Sequence, residues 1–209
     1  MSSAPAQHAV LHGISFETYE RLLDELADRQ VRLTYDSGVL EIMSPSHRHE
    51  RIKCWIRRLI DAMAEELRIE IMFGGSTTWR RRDLDKGLEP DECYWVQNEA
   101  KVRGRLDVDL SVDPPPDLAI EVDVHARSLD RMLIYGALGI PEVWRCRDGR
   151  ITVHLLQADG SYRASEASVC FPRLPMTELA RWLARACSWK QGLTSFVLEF
   201  RQWVRESHR

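Results

Sequence analysis

The chain has 209 residues, 44% of them hydrophobic and 29% charged, with a net charge of −3. That length fits one domain with a sizeable core, and the mild acidity excludes a protein basic throughout, so any nucleic-acid contact needs a local basic surface. The five cysteines show no metal-ligand spacing and read as reduced thiols of a cytoplasmic protein, and no apolar run reaches the roughly 20 residues of a spanning helix.

Residues 1–12 read as a disordered lead-in, since they lack the charged and apolar regions of a secretory signal. A single domain over 13–209 follows. Ser15 caps a predicted helix over 16–27, with Phe16, Tyr19, Leu22, Leu23 and Leu26 at helical spacing. Val31, Leu33 and Tyr35 alternate into Asp36-Ser37-Gly38 and the chain returns through 39–43, a β-hairpin in which Gly38 supplies positive φ. Ser44 or Ser46 then caps a second helix, with Pro45 near its first turn. Its apolar stripe is Ile52, Trp55, Ile56, Leu59, Ile60, Met63 and Leu67. His49 lies along that stripe, and Glu50 sits about 100° away.

"IEIMF", "STTWRRR" and "ECYWV" read as three strands, separated by Gly74-Gly75 and by the loop "DLDKGLEPD". A further strand lies within "PPPDLAIEVDV", started by prolines that cannot donate ladder hydrogen bonds. A helix over 128–138 is predicted to bury Leu129, Met132 and Leu133 and to end at Gly139. "PEVWRC" and "RITVHLL" form a hairpin across "RDG", and helices over 177–187 and 193–205 close the chain. This order predicts an α/β (α+β) fold, a mixed β-sheet flanked by helices.

In "PPPDLAIEVDV", Leu118, Ile120, Val122 and Val124 form one aliphatic face, while Asp117, Glu121 and Asp123 share the other. Same-face neighbours on a strand are roughly 6.6 Å apart, so Glu121 and Asp123 can lean toward one hard cation. Acids on the wet face of a half-buried strand need no such purpose, and alternation alone favours that plainer reading. A repeat of the dipeptide adds weight to the metal: Pro90-Asp91 precedes "ECYWV" as Pro116-Asp117 precedes "LAIEV". If those strands are neighbours, Asp91 and Glu121 meet.

The set "GVLEIMSPSHRHERI", "GSTTWRR", "EPDECYWV", "PPPDLAIEVDV" and "DRMLIYGALGIPEVWR" closely resembles the Uma-two-type family of the PD-(D/E)XK nuclease superfamily, over about residues 15–185. The resemblance implies a restriction-endonuclease-like fold and Mg²⁺- or Mn²⁺-dependent hydrolysis of DNA. It assigns the metal to Asp91 and Glu121, and Asp117 and Asp123 are expected in or near its shell, Asp117 as a further ligand. Asp123 stands where the superfamily's third motif carries a lysine. Arg131, four residues before Tyr135, takes the place of a helix-borne lysine and would face the scissile phosphate. His49, or else Glu50, is the helix-borne polar residue of the first motif. Arg80, Arg81, Arg82 and Lys101 are candidate phosphate contacts, with Arg57, Arg58, Arg103 and Arg105 as further ones. DNA is the implied partner, with or without assembly into a homodimer, and no membrane is implied. The rival reading is a catalytically silent nuclease-like fold that binds DNA or a protein partner.

Overall fold

The computed structural model describes residues 8–124, 128–188 and 190–207. Its strands divide between two sheets rather than forming one. The first contains β1 (His8–His12), β2 (Arg32–Asp36), β3 (Val39–Met43), β5 (Trp79–Arg81) and β6 (Lys86–Leu88), in the order β1-β3-β2-β6-β5. The second contains β4 (Met72–Phe73), β7 (Glu92–Trp95), β8 (Leu118–Val122), β9 (Glu142–Arg147), β10 (Arg150–Leu156) and β11 (Tyr162–Ser165), in the order β11-β10-β9-β8-β7-β4. This second sheet is the mixed one: β8 and β9 run parallel, and its other pairs are antiparallel.

Residues 8–12, expected in the lead-in, pair with β3 along their length. The expected loop "DLDKGLEPD" contains β6, which bridges β2 and β5. Gly87 gave that stretch its loop-like look. It is needed in the strand because a Cβ there would collide with the Tyr19 ring.

The even-numbered face of β8 packs as its alternation predicts. Leu118, Ile120 and Val122 share one core with Ile56, Leu59 and Ile60 of α2 (His47–Leu67). Leu179 and Leu183 of α5 (Met176–Ala186) and Phe196 and Phe200 of α6 (Leu193–Ser207) belong to the same core. The odd-numbered face is covered too, which corrects the solvated-face reading. Ala119 packs with Val143, with Trp79 and Leu88 of the first sheet, and with Ile134, Tyr135 and Leu138 of α4 (Arg131–Leu138). Asp117 and Glu121 are accordingly only 3% and 2% exposed. A third cluster joins Phe16 and Tyr19 of α1 (Phe16–Glu25) to Leu33, Tyr35 and Leu40 of the hairpin.

The helix α4 crosses from β8 to parallel β9. Asp130 caps it through the amide of Met132, and Gly139, at φ 75°, ends it. Its buried face is Arg131, Ile134, Tyr135 and Leu138, whereas Leu133, expected inside, is exposed. A buried arginine at the first helical position rotates the whole stripe.

Candidate active site

The site is built where β7 pairs with β8. Glu92 lies opposite Ile120 at the start of the paired register, and Asp91 immediately precedes β7. The amide of Asp91 donates to the Ile120 carbonyl at 3.1 Å, which ties the residue before β7 to β8. Its Oδ2 accepts from the Val122 amide at 2.6 Å and from the His49 Nε2 at 3.1 Å. Glu121 Oε1 accepts from Arg131 Nε at 2.9 Å, from Arg131 Nη2 at 2.6 Å and from the Tyr135 hydroxyl. Each acid is held in a fixed orientation, Asp91 by Val122 and His49 and Glu121 by Arg131 and Tyr135.

Sheet one positions the arginine. Glu41 of β3 accepts the amides of Ser128 and Leu129 and so anchors the entry to α4. Arg131 then projects between the sheets, where Nη1 donates to Thr34 Oγ1 and Nη2 to the Glu89 carbonyl. Burial alone would lower its pKa, but the carboxylate of Glu121, with Tyr135 and Asp91 nearby, raises it, so the guanidinium stays charged. Burial, and then the charge of Glu121, drives the Tyr135 phenol well above its usual range. Tyr135 therefore remains a hydroxyl that donates to Glu121.

At the start of α2, Ser46 accepts the His49 amide, which fixes the first turn. The buried His49 ring bridges Asp91 on one side and Glu50 Oε1, at 3.3 Å, on the other. Burial lowers its pKa, but the hydrogen bonds to Asp91 and Glu50 outweigh this and raise it to about 9. Because the folded pKa lies above the unfolded one, the imidazolium stabilises the fold fully below about pH 6.5, and this is lost as pH rises through 9. Wild type should therefore exceed His49→Gln in stability by on the order of 1–3 kcal/mol at pH 6. Urea midpoints for the two proteins should converge by about pH 10, and a constant gap would mean that His49 is neutral in the fold.

Sequence reasoning missed Arg32. It is buried, donates to the Pro90 carbonyl at 2.9 Å, and lies 3.8 Å from Asp91 Oδ1 and 3.5 Å from Glu50. Glu41 and Thr34 were missed with it. The available signal was the polar alternation of the hairpin, Arg32-Thr34 against Glu41, on strands whose other face is apolar.

The remaining nominees lie elsewhere or serve neighbours. Asp117 does not join Asp91 and Glu121: its oxygens accept the amides of Val96 and Asn98 and the Asn98 side chain. Asp123 binds Arg145. Arg80, Arg81 and Arg82 face Glu20, Asp83, and the pair Glu17 and Glu20 respectively, and Lys101 caps onto Asn98. Arg57 lies 3.6 Å from Glu92, Arg103 binds Glu99, and Arg105 binds Asp113.

A cleft of about 550 Å³ opens over Glu121 and is walled by Asp123, Ser128, Arg131, Arg145 and Arg147. A second, of about 610 Å³, lies on the far side, where Arg32, Glu50, Lys53, Arg80 and Glu89 face it. No group of three or more His, Cys, Asp or Glu residues gathers as a metal cage among the described residues. No helix among them is long and apolar enough to cross a membrane.

The two sheets flanked by helices form a mixed α+β, nuclease-like fold. The family model described as "Uma2: Putative restriction endonuclease" matches residues 16–186. The chain belongs to that family. A crystal structure of "a putative nuclease belonging to DUF820 from Anabaena variabilis ATCC 29413" has a similar fold, with a TM-score of 0.51 and 16% sequence identity over 72% of this chain and 90% of that one. No curated protein matches.

Proposed function

We propose that this chain is an endonuclease that hydrolyses DNA phosphodiester bonds with a Mg²⁺ or Mn²⁺ ion held by Asp91 and Glu121. The observation that carries the reading is a pair of buried carboxylates, distant in sequence, both at β8 and both near the Arg131 charge: Asp91 accepts the Val122 amide, and Glu121 binds Arg131 and opens on a cleft. The donor set fits such an ion, which takes one or two carboxylates and keeps several waters. When bound, the ion would polarise a phosphoryl oxygen and lower the pKa of its own water.

The chain's own residues hold and orient. Val122 and His49 fix the Asp91 carboxylate, while Arg131 and Tyr135 fix that of Glu121. Arginine does not give up its proton in water, so Arg131 is no general base. His49, with its pKa near 9, keeps its proton at neutral pH and serves as a positioning group. Action in the cytoplasm accords with five cysteines that are all unbridged thiols.

One feature favours the rival, a silent DNA-binding module: Arg131, Arg32 and His49 already balance the charges of both acids. A thermal-shift and cleavage series separates the two readings. Mg²⁺ or Mn²⁺ should raise the melting temperature of wild type by binding the native state, and plasmid should be cut until chelator is added. Asp91→Asn and Glu121→Gln should each lose the shift and at least about a hundredfold in cleavage rate. A folded wild type that neither shifts nor cuts leaves the silent module standing.

A further inference from the structure

Two arginines of the cleft lie beside Glu121, and they are differently placed. Arg131 is 6% exposed and donates through Nε, Nη1 and Nη2 to protein acceptors. Nothing of its fork is turned to a substrate. Arg145 projects from β9 at the position alongside Glu121 in the parallel register, and its side chain is 42% exposed. Asp123 holds it by one edge: Nε donates to its Oδ2 at 2.8 Å, and Nη2 lies 2.6 Å from the same oxygen in an ion pair.

Asp123 is itself held. Its amide donates to the Cys146 carbonyl at 2.9 Å, and its side chain is only 11% exposed. A half-exposed guanidinium is thereby aimed by a nearly buried acid, and its Nη1 makes no hydrogen bond among the described residues. Arg147 stands two residues further along β9 and lines the same cleft, and its ion pair among the described residues is a 3.9 Å contact with Asp148. A planar fork fixed on one side and open on the other suits a phosphate oxygen.

We propose that Arg145 contacts a backbone phosphate of the nucleic acid in this cleft and that Asp123 is its positioning residue. The identity of the ligand rests on the nuclease reading above. Asp123 stabilises the orientation but also cancels charge, so Arg145 contributes placement more than raw attraction. Removing each residue should therefore act on different observables. Arg145→Ala loses a phosphate contact. Asp123→Asn keeps the cation but releases its aim.

The test is binding of a labelled DNA duplex, without divalent metal, across a salt series for wild type, Arg145→Ala, Arg145→Lys and Asp123→Asn, with cleavage in Mn²⁺ measured in parallel. Each phosphate contact contributes a slope of about −0.9 in log K against log salt. Arg145→Ala should reduce the slope by about that amount, Arg145→Lys should restore it, and Asp123→Asn should keep it while turnover falls about tenfold. An unchanged slope in Arg145→Ala, with wild type binding and cutting DNA, overturns the Arg145 contact and leaves the nuclease reading intact. Wild-type turnover in Asp123→Asn overturns the positioning role. A wild type that binds no duplex at any salt overturns the contact, and cleavage in the parallel assay then decides the nuclease reading separately.

Discussion

Arg131→Ala is expected to destabilise the fold by about 3–5 kcal/mol, the range for breaking a buried ion pair from one side. The guanidinium joins four elements: Glu121 on β8, Thr34 on β2, the Glu89 carbonyl just after β6, and Tyr135 on its own helix. Deleting it leaves Glu121 buried with a lesser share of its donors, and leaves Thr34 and Glu89 without theirs. An exposed salt bridge would contribute only about 0–1 kcal/mol, so the size of the loss reports the burial. Arg131→Lys should recover part of it, because one ammonium can meet Glu121 but cannot also span to Thr34 and Glu89. Pairing Arg131→Met with Glu121→Gln should cost less than the sum of the single changes, since the stranded charge is removed together with its partner. Urea unfolding followed by tryptophan fluorescence measures all five variants. A loss below about 1 kcal/mol for Arg131→Ala would place the guanidinium in solvent and undo this account of the site.

How far the site could be read from the sequence depended on whether its determinants were local. The alternation of β8 and the prolyl-aspartate before β7 are local, and they single out Glu121 on β8 and Asp91 just before its neighbour β7. Yet Asp117 carries the same prolyl-aspartate spelling and closes a turn at 96–98 instead, because its neighbours there are amides rather than a second acid. The basic run Arg80 to Arg82 looked like a phosphate surface. It faces Glu17 and Glu20 on α1, a pairing made by chain reversal through the first sheet. Arg32, Thr34 and Glu41 read as the wet side of a hairpin, since nothing within the hairpin shows that a second sheet covers it. Leu133 was placed inside because leucine is apolar, but the buried Arg131 turned the helix the other way. Each of these errors concerns what packs against a face. The alternation of β2, β3 and β8 defines their faces, whereas β1, β6 and β11 carry no such signal in the sequence.

Ile120→Ala is expected to cost about 2–5 kcal/mol, and its consequence should reach the site. Ile120 is fully buried in the core that β8 shares with α2, between strands paired on both sides. A central strand cannot move inward to fill the void without breaking one of its ladders, so most of the cavity should persist. Ile120→Val removes a single methylene and should cost about 0.5–1.5 kcal/mol. The carbonyl of Ile120 accepts the Asp91 amide, and the next amide, that of Val122, is shared two residues on with the Asp91 carboxylate. Any shift of β8 toward the void therefore moves the cradle of Asp91, and the metal-induced thermal shift should shrink in Ile120→Ala even at temperatures where the protein is folded. On the opposite face the sign of the size change reverses: Ala119 is buried in the core that holds Trp79, Val143 and Ile134, and Ala119→Leu should cost about 1–3 kcal/mol by overpacking. Denaturant midpoints for the three variants test the assignment directly. If Ile120→Ala lost less than about half a kcal/mol while Ala119→Leu was neutral, the two faces of β8 would be reversed, and with them the side of the sheet on which Glu121 stands.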